Sequence, residues 1–178
     1  ELQALGEVLR RHPQILIATD DMYEHILLSD QKFINIANAC PELFPQTMVL
    51  NGVSKAYSMT GWRIGYCGGP AHIITAMENI QSQSTSNPSS ISQAAAETAL
   101  NGDQSCMNPM IAAFKERNIF VTEQLNQIRG VRCLSSEGAF YAFADVRQSI
   151  NDLYKRNLIG AQNDIVFSEY LLENAGVA

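Results

Sequence analysis

Apolar residues at positions 2, 5, 8 and 9 fall on one face of a helix over residues 1–11. No start methionine or capping residue precedes them, so the chain is expected to open inside that helix. His12-Pro13 breaks the pattern, and residues 14–19 form a short apolar run of the kind that a parallel sheet buries on both faces. A second run, 47–51, follows a loop containing Pro41 and Pro45, and a third, 63–68, is closed by Gly69-Pro70. Short strands separated by helical or loop crossovers predict an α/β layer structure that delivers polar residues at strand ends.

Beyond these runs the period lengthens. Residues 71–83 and 92–100 read as helices, divided by a polar loop at 84–90 that contains Asn87-Pro88. A long amphipathic helix is expected over 109–128, with apolar residues at 111, 114, 120, 121 and 125. Residues 131–134 and 139–143, joined by Ser135-Ser136-Glu137-Gly138, then suggest an antiparallel pair. This switch places a domain boundary near 107–118, with a small α+β unit after it. A last helix runs to Asn174 and stops at Gly176, and Val177-Ala178 look like the start of a strand. Both ends therefore read as mid-element, and the sequence is expected to be a fragment. It contains no internal repeat and no low-complexity tract.

Composition narrows the partners. The 178 residues are 46% hydrophobic, enough for a real core. A net charge of -6 and a pI near 5.0 argue against nucleic acid and anionic membrane, since both attract positive surfaces. The cysteines at 40, 67, 106 and 133 show no Cys-x-x-Cys spacing and are read as reduced structural thiols. With no apolar stretch of membrane-spanning length, the chain reads as soluble and cytoplasmic. His12, His25 and His72 are not spaced as metal ligands, so no metal site is expected.

The chemistry concentrates in Gly52-Val53-Ser54-Lys55-Ala56-Tyr57-Ser58-Met59-Thr60-Gly61-Trp62-Arg63-Ile64-Gly65. Lys55 follows a strand end and two small or compact residues, so its amine would project from a tight turn at the rim of the sheet, where open α/β folds place ligands. An amine there becomes nucleophilic when it is partly desolvated or lies near another cation. Arg63 supplies such a cation, and its planar fork suits bidentate capture of a phosphate. In isolation, a lysine near an arginine is ordinarily two solvated charges. Trp62 and Tyr57 could wall a cavity at the same turn or pack beneath it.

This stretch resembles the lysine-attachment signature of the class I and II aminotransferases, the fold type I pyridoxal-phosphate enzymes, and looks closest to their bacterial aspartate/aromatic branch. Small residues stand at 52, 54 and 58, an apolar one at 59, and Gly61 lies two positions before Arg63. The resemblance implies that Lys55 is the catalytic Schiff-base residue, that Arg63 holds the phosphate of pyridoxal 5'-phosphate, and that the fold is a mostly parallel α/β large domain. Asp20-Asp21-Met22-Tyr23 resembles the Asp-x-x-Tyr of the same family. There the aspartate pairs with the ring nitrogen, keeping it protonated as an electron sink, and the tyrosine bonds to the 3'-oxygen. Asp21 is the rival, but the spacing to Tyr23 favours Asp20. Many relatives carry a phosphate-binding hydroxyl three residues before the lysine. This chain has Gly52 there and Ser54 next to the lysine, so Ser54 is a cofactor candidate whose alternative is a turn cap. Ser84, Thr85, Ser86 and Asn87 resemble a loop that faces the partner subunit's site in family dimers, and Gly138-Ala139-Phe140-Tyr141 resembles a small-domain hairpin whose aromatic residues belong to the core.

The resemblance spans the whole chain and implies a division into 1–107, the later part of the cofactor-binding large domain, 108–130, an interdomain helix, and 131–178, a truncated start of the small domain. It further implies a homodimer that exchanges an amino group between an L-amino acid and a 2-oxo acid. The upstream phosphate loop and the arginine that grips the substrate carboxylate would both lie outside the chain, so the fragment alone is expected to be inactive. No Lys or Arg occurs between Arg63 and Lys115, so the dimer-facing loop cannot offer a cation to a side-chain carboxylate. Aspartate, aromatic amino acids and alanine all remain open as donors. The same residues would also serve a C–S or β-elimination lyase, or a pyridoxal-phosphate-binding transcription-regulator domain.

Overall fold

A computed structural model of the chain describes residues 1–177. They form two compact units, residues 1–112 and the residues from Ala113 onward.

The first unit opens with α1 (Leu2–Leu9), whose apolar face packs Leu2 and Leu9 over a cluster of Ile36, Cys40 and Leu43. The strand expected at 14–19 forms slightly later, as β1 (Ile17–Asp20), leaving Ile15 and Leu16 exposed before it. The helix α2 (Ile36–Ala39) is a single turn, closed by reciprocal bonds between Asn35 and Asn38. A 3₁₀ turn at Pro41–Gln46 leads into β2 (Thr47–Gly52), and buried Thr47 donates its hydroxyl back to Leu43 O at 2.7 Å. After β3 (Gly65–Gly68) come α3 (Ala71–Ser84) and α4 (Ser90–Asn101), close to the two helices read from the sequence. The loop between them is exposed, and Ser86 takes a left-handed backbone there.

The three strands make one sheet in the order β1-β2-β3. β1 and β2 run parallel, with Asp20 opposite Leu50. β3 runs antiparallel to β2, pairing Gly52 with Gly65 and Asn51 with Tyr66. The segment 53–64 holds only turns and one short 3₁₀ turn (Thr60–Trp62), too little for the crossover that a parallel neighbour requires. The chain therefore doubles back, and the C-terminal ends of β1 and β2 meet the N-terminal end of β3.

The helix α5 (Asn108–Gln127) runs across the division between the units. In the second unit the antiparallel pair forms with a different second strand than expected: β4 (Arg132–Cys133) pairs with β5 (Ala144–Asp145), and residues 139–143 are not strand. Ala139 has φ of 58°, which breaks an extended run at its start. The aromatic residues expected in the core here are outside it, with Phe143 95% exposed and Tyr141 60% exposed. Phe140 stacks on Phe114 at 5.2 Å between ring centroids but stays partly exposed itself. The Asn126 side chain acts as an extra strand partner, donating to Cys133 O at 2.8 Å and accepting from Cys133 N–H at 3.0 Å. Two helices complete the unit, α6 (Arg147–Lys155), which the sequence reading passed over, and α7 (Asp164–Ala175). The last is capped by the Asn163 side chain and ended by Gly176 at φ 65°, as read from the sequence. Val177 is not in a strand, and Ala178 lies outside the described residues.

Among the described residues all four cysteines are free, with Cys40 and Cys133 buried. No helix there is long and apolar enough to cross a membrane.

Candidate active site

Sheet topology alone brings the predicted residues to one rim. Asp20 is the last residue of β1, Lys55 lies three residues past the end of β2, and Arg63 lies two residues before β3. Because β3 is antiparallel, all three positions sit at the same end of the sheet. Tyr23 follows β1 in a tight turn in which Glu24 N–H donates to Asp21 O at 2.9 Å. The Lys55 Nζ stands 6.0 Å from the centroid of the Tyr23 ring.

The two neighbouring aspartates differ in surroundings. Asp21 is buried, and its carboxylate accepts from Thr19 Oγ1 at 2.6 Å and from Asn35 Nδ2 at 2.7 Å. Its backbone N–H continues the sheet by donating to Leu50 O at 2.8 Å. Asp20 is exposed, and its Oδ1 accepts a long bond of 3.3 Å from Met22 N–H. Strand alternation explains the contrast, since successive side chains leave opposite faces of β1. Asp21 is committed to the fold, and Asp20 presents a carboxylate at the rim.

Lys55 rides on a turn anchored from below. Val53 is fully buried and Ala56 nearly so, while Ser54 and Lys55 between them are half-buried. Tyr57 N–H reaches Val53 O at 3.3 Å and Ser58 N–H reaches Lys55 O at 3.2 Å, closing the turn. Ser58 and Arg63 both have positive φ, 54° and 51°, where residues with a Cβ are strained. The bend at Arg63 carries its exposed guanidinium back over the loop, where one N–H donates to Thr60 O at 2.8 Å. That bond leaves the rest of the five-donor fork directed by its own plane.

Tyr57 and Trp62 separate in role. Tyr57 O–H donates to Gln104 Oε1 at 2.6 Å and its ring meets His25 edge-on at 6.3 Å. Burial, with added repulsion from Cys106 and Glu24, raises its pKa above that of an ordinary phenol. Tyr66, on the neighbouring strand, is raised by burial and by Glu24 and Tyr57. Both therefore stay neutral hydrogen-bonding groups at neutral pH. Trp62 is 44% exposed.

Sequence reasoning missed the polar residues beneath the rim. Asn51 is buried, donating to Glu24 Oε1 at 2.7 Å and accepting from Gly52 N–H at 2.7 Å. The available signal was a polar residue ending an apolar strand run. Among the described residues, no three His, Cys, Asp or Glu side chains gather as for a metal ion.

The donor set matches the chemistry of a phosphorylated pyridine aldehyde. It offers a carboxylate for a ring nitrogen, a phenol for a ring oxygen, an amine for the carbonyl carbon and a guanidinium for the phosphate. The profile of the family described as aminotransferase class I and II matches residues 1–178. An aspartate/prephenate aminotransferase of Nitrosomonas europaea is 71% identical over 178 residues, covering 100% of this chain and 45% of that protein. An aspartate aminotransferase of Rhizobium meliloti is 47% identical over 181 residues, covering 43% of its length. Among solved structures, an aspartate aminotransferase from Rhizobium meliloti superposes with a TM-score of 0.87 at 45% identity, over 99% of this chain and 44% of that one. An aromatic aminotransferase from Pyrococcus horikoshii gives a TM-score of 0.83 at 30% identity, over 99% and 44%. The chain thus spans less than half the length of these relatives.

Proposed function

The chain belongs to the class I and II aminotransferases, and we propose that it carries the cofactor-side half of a pyridoxal-phosphate-dependent active site that moves an amino group from an L-amino acid to a 2-oxo acid. The observation that carries this reading is the convergence of Asp20, Lys55 and Arg63 on one rim of the sheet, with Tyr23 beside the lysine. Bound there, pyridoxal phosphate would supply an aldehyde for capture of the amino group and a ring that withdraws electrons from the substrate α-carbon.

The protein's own groups divide the remaining work. Lys55 would hold the cofactor through its amine, and the same amine, when free, would move the substrate's α-proton as general base and then acid. Asp20, exposed at the strand end, would keep the ring nitrogen protonated by ion pairing. Tyr23 would donate its hydroxyl at the ring oxygen. Arg63, with its left-handed backbone, would hold the phosphate with its fork. Ser54, half-buried next to Lys55 on the same turn, would be a further hydroxyl available to the cofactor.

The amino donor is an acidic amino acid of the aspartate type, a reading supported by the names of the relatives at 71% and 47% identity. The acceptor is a 2-oxo acid. A cytoplasmic homodimer is the assembly that the family resemblance supports, with the exposed loop at 84–87 facing the partner.

In the full-length protein, pyridoxal phosphate should give a visible absorbance band, and aspartate with 2-oxoglutarate should give turnover. Lys55→Ala should abolish both while leaving the fold intact by circular dichroism. Persistence of the band and of turnover in that variant would overturn the assignment.

A further inference from the structure

Tyr23 and Lys55 belong to separate segments, yet both neighbours of Tyr23 grip the end of β2 that leads to Lys55. On one side, Met22 packs against Gly52 so closely that a Cβ there would stand 3.1 Å from Met22 Cε and 3.2 Å from Gly65 Cα. On the other side, Glu24 Oε1 accepts from Asn51 Nδ2 at 2.7 Å. Asn51 in turn accepts from the N–H of Gly52 at 2.7 Å, three residues before the lysine. The amide is therefore used at both ends, and it sits on a residue only 9% exposed. Further out, His25 Nε2 lies 3.3 Å from the same Glu24 oxygen, with its ring against Tyr57.

We propose that Glu24 and Asn51 form a positioning pair that fixes the separation between the Tyr23 hydroxyl and the Lys55 amine, and so tunes the protonation of the lysine–cofactor linkage. The inference rests on the pyridoxal-phosphate reading of the rim. Its physical content is geometric. A phenol donating at the ring oxygen alters the basicity of the nitrogen joined to the ring only if it stays at hydrogen-bond distance, and the Met22 packing on one side and the Glu24–Asn51 bond on the other tie its turn to the end of β2. Neither Glu24 nor Asn51 needs to touch the cofactor for this role.

A polarity swap in the full-length protein with pyridoxal phosphate bound tests the pair. Asn51→Asp keeps the shape and the acceptor for Gly52 N–H, but sets a carboxylate against Glu24. The pH midpoint of the visible band should shift by about half a unit or more. Adding Glu24→Gln restores a donor–acceptor pair with the donor on the other side and returns the local charge to that of the wild type. The midpoint should move back to within about 0.2 units of the wild-type value. Glu24→Gln alone, still an acceptor for Asn51, should leave the midpoint nearly in place. Melting temperature without cofactor is followed in parallel. An unchanged midpoint in Asn51→Asp, with or without a lower melting temperature, would make the pair purely structural and overturn the proposal. A double variant no closer to the wild type than the single would do the same. Absence of any visible band in the wild-type protein would instead strike at the cofactor assignment itself.

Discussion

Asp20 and Asp21 are adjacent in the chain and opposite in environment: Asp21 takes bonds of 2.6 and 2.7 Å from Thr19 and Asn35 inside the fold, whereas Asp20 stands exposed at the rim. On the proposed pyridoxal-phosphate reading, the difference separates stability from cofactor binding. Asp21→Ala leaves the Asn35 amide and the Thr19 hydroxyl without their acceptor and should cost about 1–3 kcal/mol in chemical denaturation. Asp20→Ala should leave stability within about 0.5 kcal/mol, since it loses one long exposed bond. It should weaken pyridoxal-phosphate binding instead. The reverse pattern would exchange the roles of the two residues.

Arg63 combines an unfavourable backbone with a favourable fork. At φ 51°, glycine fits better, so Arg63→Gly should hold or raise the melting temperature. Cofactor affinity in the same variant should fall about tenfold or more, because charge-assisted bonds to phosphate contribute about 1.5–3 kcal/mol. Arg63→Lys keeps the charge without the planar fork and should recover only part of that affinity. Thermal melting reads the first expectation, and titration of cofactor into each apoprotein reads the two affinities.

Gly6 lies where α1 crosses the buried Cys40. A Cβ at this position would clash with Cys40 Sγ and stand 3.3 Å from its Cβ. Gly6→Ala should therefore destabilise by about 1–3 kcal/mol despite the better helix propensity of alanine. Cys40→Ala removes the sulfur and should relieve most of that loss in the double variant. Urea unfolding of the four proteins forms the cycle.

Asp145 titrates unusually low. The Arg147 side chain, then its backbone N–H, hold the carboxyl at about 2 against an ordinary 3.8. Because the folded value is depressed, the linked stabilisation is present above the ordinary carboxylate range and is lost as pH falls from there through about 2. The pair is exposed, so solvent screens it and the titration itself is the sensitive measurement. Arg147→Ala should raise the Asp145 midpoint by NMR, yet not fully to the ordinary value, since the N–H at 3.1 Å remains. An unmoved midpoint would remove Arg147 as the cause.

The rim was legible because its residues are tied to strand ends, and strand ends show as apolar runs that stop. The Gly52–Gly65 motif and Asp20 to Tyr23 both follow such stops. Less legible was the second unit. Residues 139–143 carry the aromatic content of a strand, but the left-handed turn at Ala139 and their exposure depend on tertiary context that period-two patterning does not encode. The helix at 147–155 is mostly polar, and its position depends on Ile150, the buried residue among its nine. The bond between Glu24 and Asn51 joins residues 27 apart, and no local spacing announces it.

β2 is the middle strand of its sheet, bonded along both edges, while β1 among the described residues is bonded along one. Backbone opening must break two ladders to free β2 and one to free β1. Amides of residues 49–52 should therefore be the slowest of the sheet to exchange with deuterated solvent. The lysine is moored to the last part of the sheet to loosen, and the aspartate and tyrosine to an earlier one. Under mild denaturation the segment that carries Asp20 and Tyr23 would give way while Lys55 still holds its turn.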